Sequence, residues 1–336
     1  MKPKLNLFVL SGIALLLMAN HAHAASVYDN NISALNINML TDVFMSYTGY
    51  DENMSDLFIM QEKYGTMTRL GEYGDDGSTI KTLDSVNSAD KYFFPNIWVN
   101  ANHINEQMHY GNDISLHGRF NLATVGTTTR ASELKYGKIS FGGFVSYINT
   151  KMPDVNSNGD VVGIFAKYKY REFGAKALTT IGSLNNNTDN TNFNNSWINT
   201  AADVSGTFKI DDTFFVRPGV YIAYTFVTSD DLYVNGNTVS TKDYNFFNVA
   251  PMLSFIKEIS SKWYGTLSVK HVAHMGGKNE INVDGTAING LYLDSHTDIG
   301  LDVEHDYKQF VFGAKIHKQI GDMDGWSTNI NVKYAF

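Results

Sequence analysis

The sequence contains no cysteine, only five prolines and no long apolar run after its N-terminal segment. Without cysteine there can be no disulfide framework, no thiolate metal site and no thiol nucleophile. Without an apolar run of about 20 residues, the rest of the chain offers no candidate for a membrane-spanning helix. Its net charge of -8 argues against a nucleic-acid partner, for which a basic surface is expected.

The N-terminus has the pattern of a secretory signal peptide at residues 1–24. Lys2 and Lys4 provide a positive start, residues 5–19 are mostly apolar, and Ala-His-Ala at 22–24 forms a small-x-small cleavage site. The apolar run is shorter than a membrane-spanning helix requires. We therefore expect an exported mature chain that begins at Ala25.

Residues 25–92 form an N-terminal extension with helical spacing of apolar residues in two stretches. The first stretch contains Ile37, Leu40, Phe44 and Tyr47, and the second contains Met54, Leu57, Phe58, Gln61 and Tyr64. The second predicts a pore helix near 53–70, and a glycine-rich linker follows at 71–78. One interpretation of this segment is a loosely ordered extension. The more specific prediction is an amphipathic helix inside a barrel.

From Phe93 onward the apolar period changes to two, which is typical of strands. Twelve strands are predicted near 93–103, 113–125, 136–148, 160–170, 172–182, 197–209, 213–227, 244–256, 262–274, 295–305, 309–319 and 326–336. The even number and the lengths, mostly near the roughly 9–11 residues that cross a bilayer at a tilt, suit an outer-membrane barrel. We therefore predict an all-β protein in which residues 93–336 form an antiparallel transmembrane β-barrel of about 12 strands, with the N-terminal helical segment inside the lumen.

The connections between the predicted strands alternate in length. The first, third and fifth connections span 104–112, 149–159 and 183–196, whereas Arg171 alone and residues 306–308 suffice for two of the even ones. Short periplasmic turns and longer extracellular loops give a membrane barrel this alternation. A soluble sandwich or barrel has no reason to keep it.

Charged residues within the predicted strands fall mainly on one face. A Lys or Arg that faces lipid near mid-bilayer costs about 2–4 kcal/mol, whereas one that faces a wet lumen costs little. The candidate lumen-lining residues are Arg119, Lys167, Lys169, Arg217, Asp298, Asp302 and Glu304. Aromatic residues near strand ends are predicted to form interfacial girdles: Trp98, Tyr147, Tyr170, Trp263, Trp326 and Tyr334.

Two local features modify this pattern. Pro218 and Pro251 fall inside predicted strands, where each removes a ladder donor, and we expect a bulge there. The asparagine-rich run at 185–192 is predicted to be a mobile outer loop. A further short hairpin is predicted around 281–283 and 291–293.

The architecture resembles the translocator domain of bacterial autotransporters. The resemblance rests on the Arg69-Leu70-Gly71 helix end, the linker, the twelve predicted strands with Trp98-Val99 in the first, and the aromatic C-terminus. It implies that the helix threads the pore, that Tyr334 and Phe336 act as an assembly signal, and that barrel-assembly machinery, periplasmic chaperones and outer-membrane lipid are partners. Only about thirty residues, 25–52, precede the candidate pore helix, so we expect little or no passenger.

No motif for catalysis, cofactor binding or metal binding is recognised. His296 and Asp298 share the predicted lumen face, but a catalytic pair needs a third orienting group, so we interpret them as solvated lumen residues. We expect a bacterial outer-membrane protein that is not an enzyme and serves as a pore or translocation unit. The alternative is a porin-like channel or surface adhesin that acts through its lumen or its extracellular loops.

Overall fold

The computed structural model describes residues 29–47 and 95–335 except 111–113, 154, 189–190, 235, 242, 261 and 277–279. The predicted signal peptide, the candidate pore helix near 53–70 and Phe336 lie outside the described residues. One helix is described, α1 (Asp29–Tyr47). The strands are β1 (Asn96–Tyr110), β2 (Ile114–Thr128), β3 (Ser132–Leu134), β4 (Gly137–Lys151), β5 (Asn156–Tyr170), β6 (Phe173–Asn187), β7 (Asn192–Gly206), β8 (Phe208–Asp211), β9 (Phe214–Ser229), β10 (Leu232–Val234), β11 (Asn237–Thr241), β12 (Tyr244–Ser260), β13 (Trp263–Gly276), β14 (Glu280–Val283), β15 (Thr286–Asn289), β16 (Ser295–Tyr307), β17 (Phe310–Gly321) and β18 (Met323–Ala335).

Twelve long strands pair antiparallel into a closed barrel, as predicted. Their order around the barrel is β1, β2, β4, β5, β6, β7, β9, β12, β13, β16, β17 and β18. The ring closes where β1 pairs with β18, from Asn96 opposite Ala335 to Met108 opposite Met323. Because closure pairs every long strand on both sides, no strand edge is left facing lipid.

The two ends of the barrel differ in their connections. At one end, turns of two residues join β5 to β6 and β16 to β17, at 171–172 and 308–309. We call this the inner end, and the opposite end the outer end, because outer-membrane barrels have short turns on the periplasmic side. Arg171 and Lys308 both adopt positive φ, which these tight turns require.

At the outer end the strands continue further than the sequence predicted. Asn185 and Asn186 belong to β6 and Asn192 begins β7, so the predicted loop at 183–196 shrinks to residues 188–191. The prediction of a mobile asparagine-rich loop was therefore wrong for these residues. The alternation of apolar and polar residues ends where a strand leaves the bilayer. The backbone hydrogen bonds between neighbouring strands do not depend on that alternation, so the strands continue into water.

A second sheet lies at the outer end, in the order β10-β11-β14-β15. Val155, Phe193, Leu232, Val239 and Ile281 form its buried apolar cluster, which joins this sheet to the tips of two barrel hairpins. The predicted short hairpin exists as β14 and β15, but its second strand is at 286–289. The residues 291 and 293, predicted as strand, are leucines buried in the cluster inside the barrel.

Both prolines are accommodated without the predicted bulge. The register between β9 and β12 runs unbroken, with Pro218 opposite Leu253 and Pro251 opposite Val220. The ladder between β12 and β13 instead skips Ala250 and Pro251, and the ladder between β7 and β9 ends at Gly219. Each proline thus turns its missing N–H toward a gap in the adjacent ladder.

The outward face of the barrel is apolar. Large side chains exposed there include Val99, Val145, Ile164, Ile222, Leu267 and Ile330. An exposed apolar band that continues around a closed barrel is far larger than the apolar patches of soluble monomers. Together with closure, this band is what a transmembrane β-barrel requires.

Candidate functional site

Helix α1 is enclosed by the barrel. From Ile32 to Leu40 every residue is buried, including the polar Ser33, Asn36 and Asn38. A helix buried on all its sides must be surrounded by protein. Among the described residues no helix combines the length and hydropathy needed to cross a membrane.

Short polar side chains attach the N-terminal part of α1 to the barrel wall. Ser33 Oγ donates to Asn186 Oδ1 at 2.9 Å, and the Asn36 amide lies 2.9 Å from Met152 Sδ. The amides of Asn38 and Asn248 exchange hydrogen bonds of 3.2 and 3.1 Å. These contacts give each of these buried side chains a polar or sulfur partner, although Asn36 Oδ1 has no hydrogen-bond partner among the described residues.

The C-terminal end of α1 is held by a buried lysine. Lys176 Nζ donates to the carbonyl oxygen of Met45 and lies 3.8 Å from Asp203 Oδ2. The last carbonyls of a helix lack intrahelical partners and carry partial negative charge, so a cation at this position is favourable.

These contacts fix the direction of α1 in the lumen. Ser33 meets Asn186, next to the outer end of β6, whereas Met45 meets Lys176, close to the inner end of the same strand. The helix therefore runs from the outer end toward the inner end. Strand β1 also begins at the inner end, at Asn96.

An aromatic cluster packs against the C-terminal part of α1. The ring centroid of Phe144 lies 5.7 Å from that of Phe44 and 5.9 Å from that of Trp98. Trp98 covers Gly126, and Phe144 covers Gly163, where a Cβ would clash with the ring. The prediction of Trp98 as a girdle residue was wrong, because its side chain faces the lumen and is only 7% exposed.

Beside α1 the lumen contains a cavity of about 280 Å³. Met39, Leu40, Val43 and Met45 form its helix side. Five of the predicted lumen residues line it: Lys167, Arg217, Asp298, Asp302 and Glu304. Lys169 shares the inward face of β5 with Lys167, nearer the inner turn.

Arg119 requires a correction. It is exposed and alternates along β2 with buried Phe120 and Leu122, so it lies on the outward face near the outer end. The apolar residues of β2 point inward because the inner wall here packs in the same apolar cluster as α1. The rule that apolar side chains face lipid therefore fails on this strand.

The charged side of the cavity is an ion-pair network that the sequence only partly indicated. His317 Nδ1 lies 3.0 Å from Asp298 Oδ1, and its Nε2 lies 3.2 Å from Asp302 Oδ1. Lys270 and Lys315 lie 3.8 and 3.5 Å from the carboxylates of Asp298 and Asp302. The predicted aspartates are thus joined by His317, Lys270 and Lys315, which the prediction missed although Lys315 and His317 share one face of β17.

Two further histidines lie beside the helix contacts. His274 Nε2 lies 3.0 Å from His296 Nδ1, and His274 Nδ1 lies 3.0 Å from Asn248 Oδ1. His296 faces the lumen, as expected, and stacks on His274. Within the described part of the chain, no group of three or more His, Asp or Glu side chains is placed to hold a metal ion.

The closing strand β18 presents alternate residues to the two sides. Tyr334 is on the outward face, and its ring centroid lies 4.9 Å from that of Phe310 on β17. Asn329 is buried on the lumen side, where Asn331 and Lys333 also line the cavity. The role of Tyr334 and Phe336 in assembly stays a prediction.

No protein-family model and no curated protein matches the sequence. Solved structures match the fold. The translocator domain of the autotransporter NalP from Neisseria meningitidis is 12% identical with a TM-score of 0.63, covering 93% of this chain and 100% of that one. The transport unit of the autotransporter AIDA-I from Escherichia coli is 11% identical with a TM-score of 0.63, covering 84% and 98%. The beta domain of the Bordetella autotransporter BrkA is 13% identical with a TM-score of 0.60, covering 72% and 99%.

These likenesses establish a fold and no more. The chain has the fold of autotransporter translocator barrels, which confirms the resemblance predicted from the sequence. With its apolar outward face it is an outer-membrane β-barrel.

Proposed function

We propose that the chain is a membrane-embedded translocation unit whose lumen is occupied by α1 in the resting state. Its role is to pass or hold a polypeptide segment, and it is not catalytic. The observation that carries the proposal is the course of α1, which runs through the barrel from the outer end toward the inner end between Ser33 and Met45.

The contacts of α1 suit a segment that has passed through the pore. A helix satisfies its own backbone hydrogen bonds, so it needs few bonds to the wall while it moves. Neutral side-chain hydrogen bonds such as those of Ser33 and Asn38 are worth only about 1 kcal/mol each. The lumen therefore holds the helix firmly through shape and apolar contact while placing few specific demands on its sequence.

The test is single-channel conductance in planar bilayers. The full-length protein should conduct weakly, and a variant without residues 29–47 should conduct at least several-fold more, because removing the helix opens the lumen. Ser33→Ala, which keeps the helix and removes one contact, is the control and should conduct like the parent. Both variants must show the heat-modifiable migration of a folded barrel. Equal, strong conductance of parent and deletion would contradict the proposal.

A porin-like channel is the second candidate, and the charged cavity beside α1 favours it. Under this alternative the intact protein conducts through that cavity. Replacing Lys315 by Met, on the cavity wall, would then change the ion selectivity of the full-length protein. The translocation proposal expects such a change only after α1 is removed.

A further inference from the structure

Glu106 is a buried carboxylate on the cavity wall that no part of the proposed function uses. It is 1% exposed, and neither of its carboxylate oxygens has a hydrogen-bond partner among the described residues. Its neighbours on the inward face of β1 are Ile104 and Met108, both buried. An ionised carboxylate in such surroundings is costly unless a positive charge or a donor meets it.

Gln319 lies close to Glu106 in the wall. Glu106 is opposite Gly325 on β18, and Gly325 is opposite Gln319 on β17. Glu106 and Gln319 therefore lie on the two strands that flank β18, one on each side of Gly325, and the backbone and Cβ of Glu106 fill the space over that glycine. Gln319 is 8% exposed, and its amide oxygen also has no hydrogen-bond partner among the described residues. Both residues line the cavity of about 280 Å³.

The nearby cations are already engaged with other acids. Lys270 lies 3.8 Å from Asp298, and Lys315 lies 3.5 Å from Asp302. His317 bridges the same two aspartates. The wall at Glu106 and Gln319 therefore presents acceptors and needs positive charge with N–H donors.

We propose that Glu106 and Gln319 bind a small organic cation that carries N–H donors, an alkylammonium or guanidinium ion, in the lumenal cavity. The carboxylate would accept charge-assisted hydrogen bonds, and the amide oxygen would accept one more. A calcium ion takes six or more oxygen ligands, whereas these two side chains supply at most three. The cavity volume is close to that of pockets that hold small molecules.

The test is calorimetric titration of the folded full-length protein in detergent with n-butylammonium and with guanidinium at neutral pH. Both should bind. Tetramethylammonium has the same charge but no N–H group and should bind at least about tenfold more weakly, because it cannot donate a hydrogen bond. Glu106→Gln, which keeps the shape and removes the charge, should lower the affinity for both probes by about tenfold or more.

The matched control is Asp324→Asn. Asp324 adjoins Gly325 but lies on the outward face, where it pairs with Lys318, so its replacement removes the same charge without touching the cavity. It should leave binding unchanged, and heat-modifiable migration must show that both variants fold. The proposal is overturned if neither probe binds, if tetramethylammonium binds equally, if calcium binds while the organic cations do not, or if Glu106→Gln binds like the parent. A rise in thermal stability of Glu106→Gln with no binding by the parent would identify Glu106 as a neutral buried acid.

Discussion

The two sides of the lumen differ in chemistry. The wall that packs with α1 presents apolar side chains such as Phe120, Phe144 and Leu178, with amides between them. The wall formed by β13, β16 and β17 presents Lys270, Asp298 and His317 to the cavity. The side chains of the inner wall are therefore apolar where the wall contacts the helix and charged where it borders the cavity.

This difference follows from the cost of burying charge. A charged side chain against α1 would lose water and gain no partner, whereas on the cavity side the charges pair with one another. The buried pair of Lys176 with Asp203 sits where the end of the helix supplies a carbonyl. Exchanging or removing these side chains tests the difference between the two walls.

The largest effect is expected from placing a charge on the helix side. Leu178 is 1% exposed within the cluster that includes α1. Leu178→Lys should destabilise the folded barrel by about 3 kcal/mol or more, because the ammonium has no partner there. Denaturant unfolding in detergent measures this loss. Leu178→Met should cost less than about 1.5 kcal/mol, and an equal cost for both variants would contradict the distinction between the two walls.

A similar loss is expected when the buried pair is broken. Lys176→Met removes the cation that lies 3.8 Å from Asp203 and donates to the Met45 carbonyl, which should cost about 3 kcal/mol in unfolding free energy. The double variant Lys176→Met with Asp203→Leu should recover most of that loss, because the carboxylate is removed together with the cation that faced it. If the single and double variants unfold alike, the pair does not hold the helix end.

A smaller effect is expected from filling the space over a glycine. Gly163→Ala puts a methyl group against the ring of Phe144, with its Cβ within 2.2 Å of that ring in the present geometry. Phe144 must then shift against Phe44, at a cost of about 1–3 kcal/mol. The thermal midpoint of the heat-modifiable band reports this cost. Adding Phe144→Leu should reduce it.

The smallest effect is expected on the cavity side. Asp302→Asn weakens contacts with Lys315 and His317 that are partly open to the cavity, and should change stability by about 1 kcal/mol or less. The unfolding free energies of Asp302→Asn and Leu178→Lys, both measured by denaturant unfolding, give the comparison directly. A loss as large as that of Leu178→Lys would show that the charged wall is as tightly packed as the helix side.

The barrel could be predicted from sequence because alternation with period two is a local signal that survives in every long strand. The error in the prediction concerned which face of a strand points into the lumen. In β2, Phe120 and Leu122 follow the alternation expected for lipid contact, yet they face the lumen and its apolar cluster. Periodicity reveals that a strand has two faces but does not tell which face meets lipid, so Arg119 and Trp98 were assigned to the wrong sides.

The site was less predictable than the fold. The alternation of strand faces alone predicted five lumen residues correctly, because a charge on the lipid side is costly. They are Lys167, Arg217, Asp298, Asp302 and Glu304. Which of them meet depends on the register between strands, such as Asp298 opposite Gln319, and sequence periodicity does not fix register. The spacing of Ile37, Leu40 and Phe44 did indicate the helix that fills the lumen, although the pore helix was expected near 53–70.

The most direct test of the account is a disulfide between α1 and β6. The chain has no cysteine, so Ser33→Cys combined with Asn186→Cys introduces a single pair at positions whose side chains are now 2.9 Å apart. In the folded outer-membrane protein this pair should oxidise to an intrachain disulfide, seen as a mobility shift that reductant reverses. Ser33→Cys combined with Lys176→Cys should not cross-link, because Lys176 lies at the other end of the helix. Cross-linking of 33 with 176 but not with 186 would mean that the helix runs the opposite way, and no cross-linking of either pair would mean that α1 is not in the lumen.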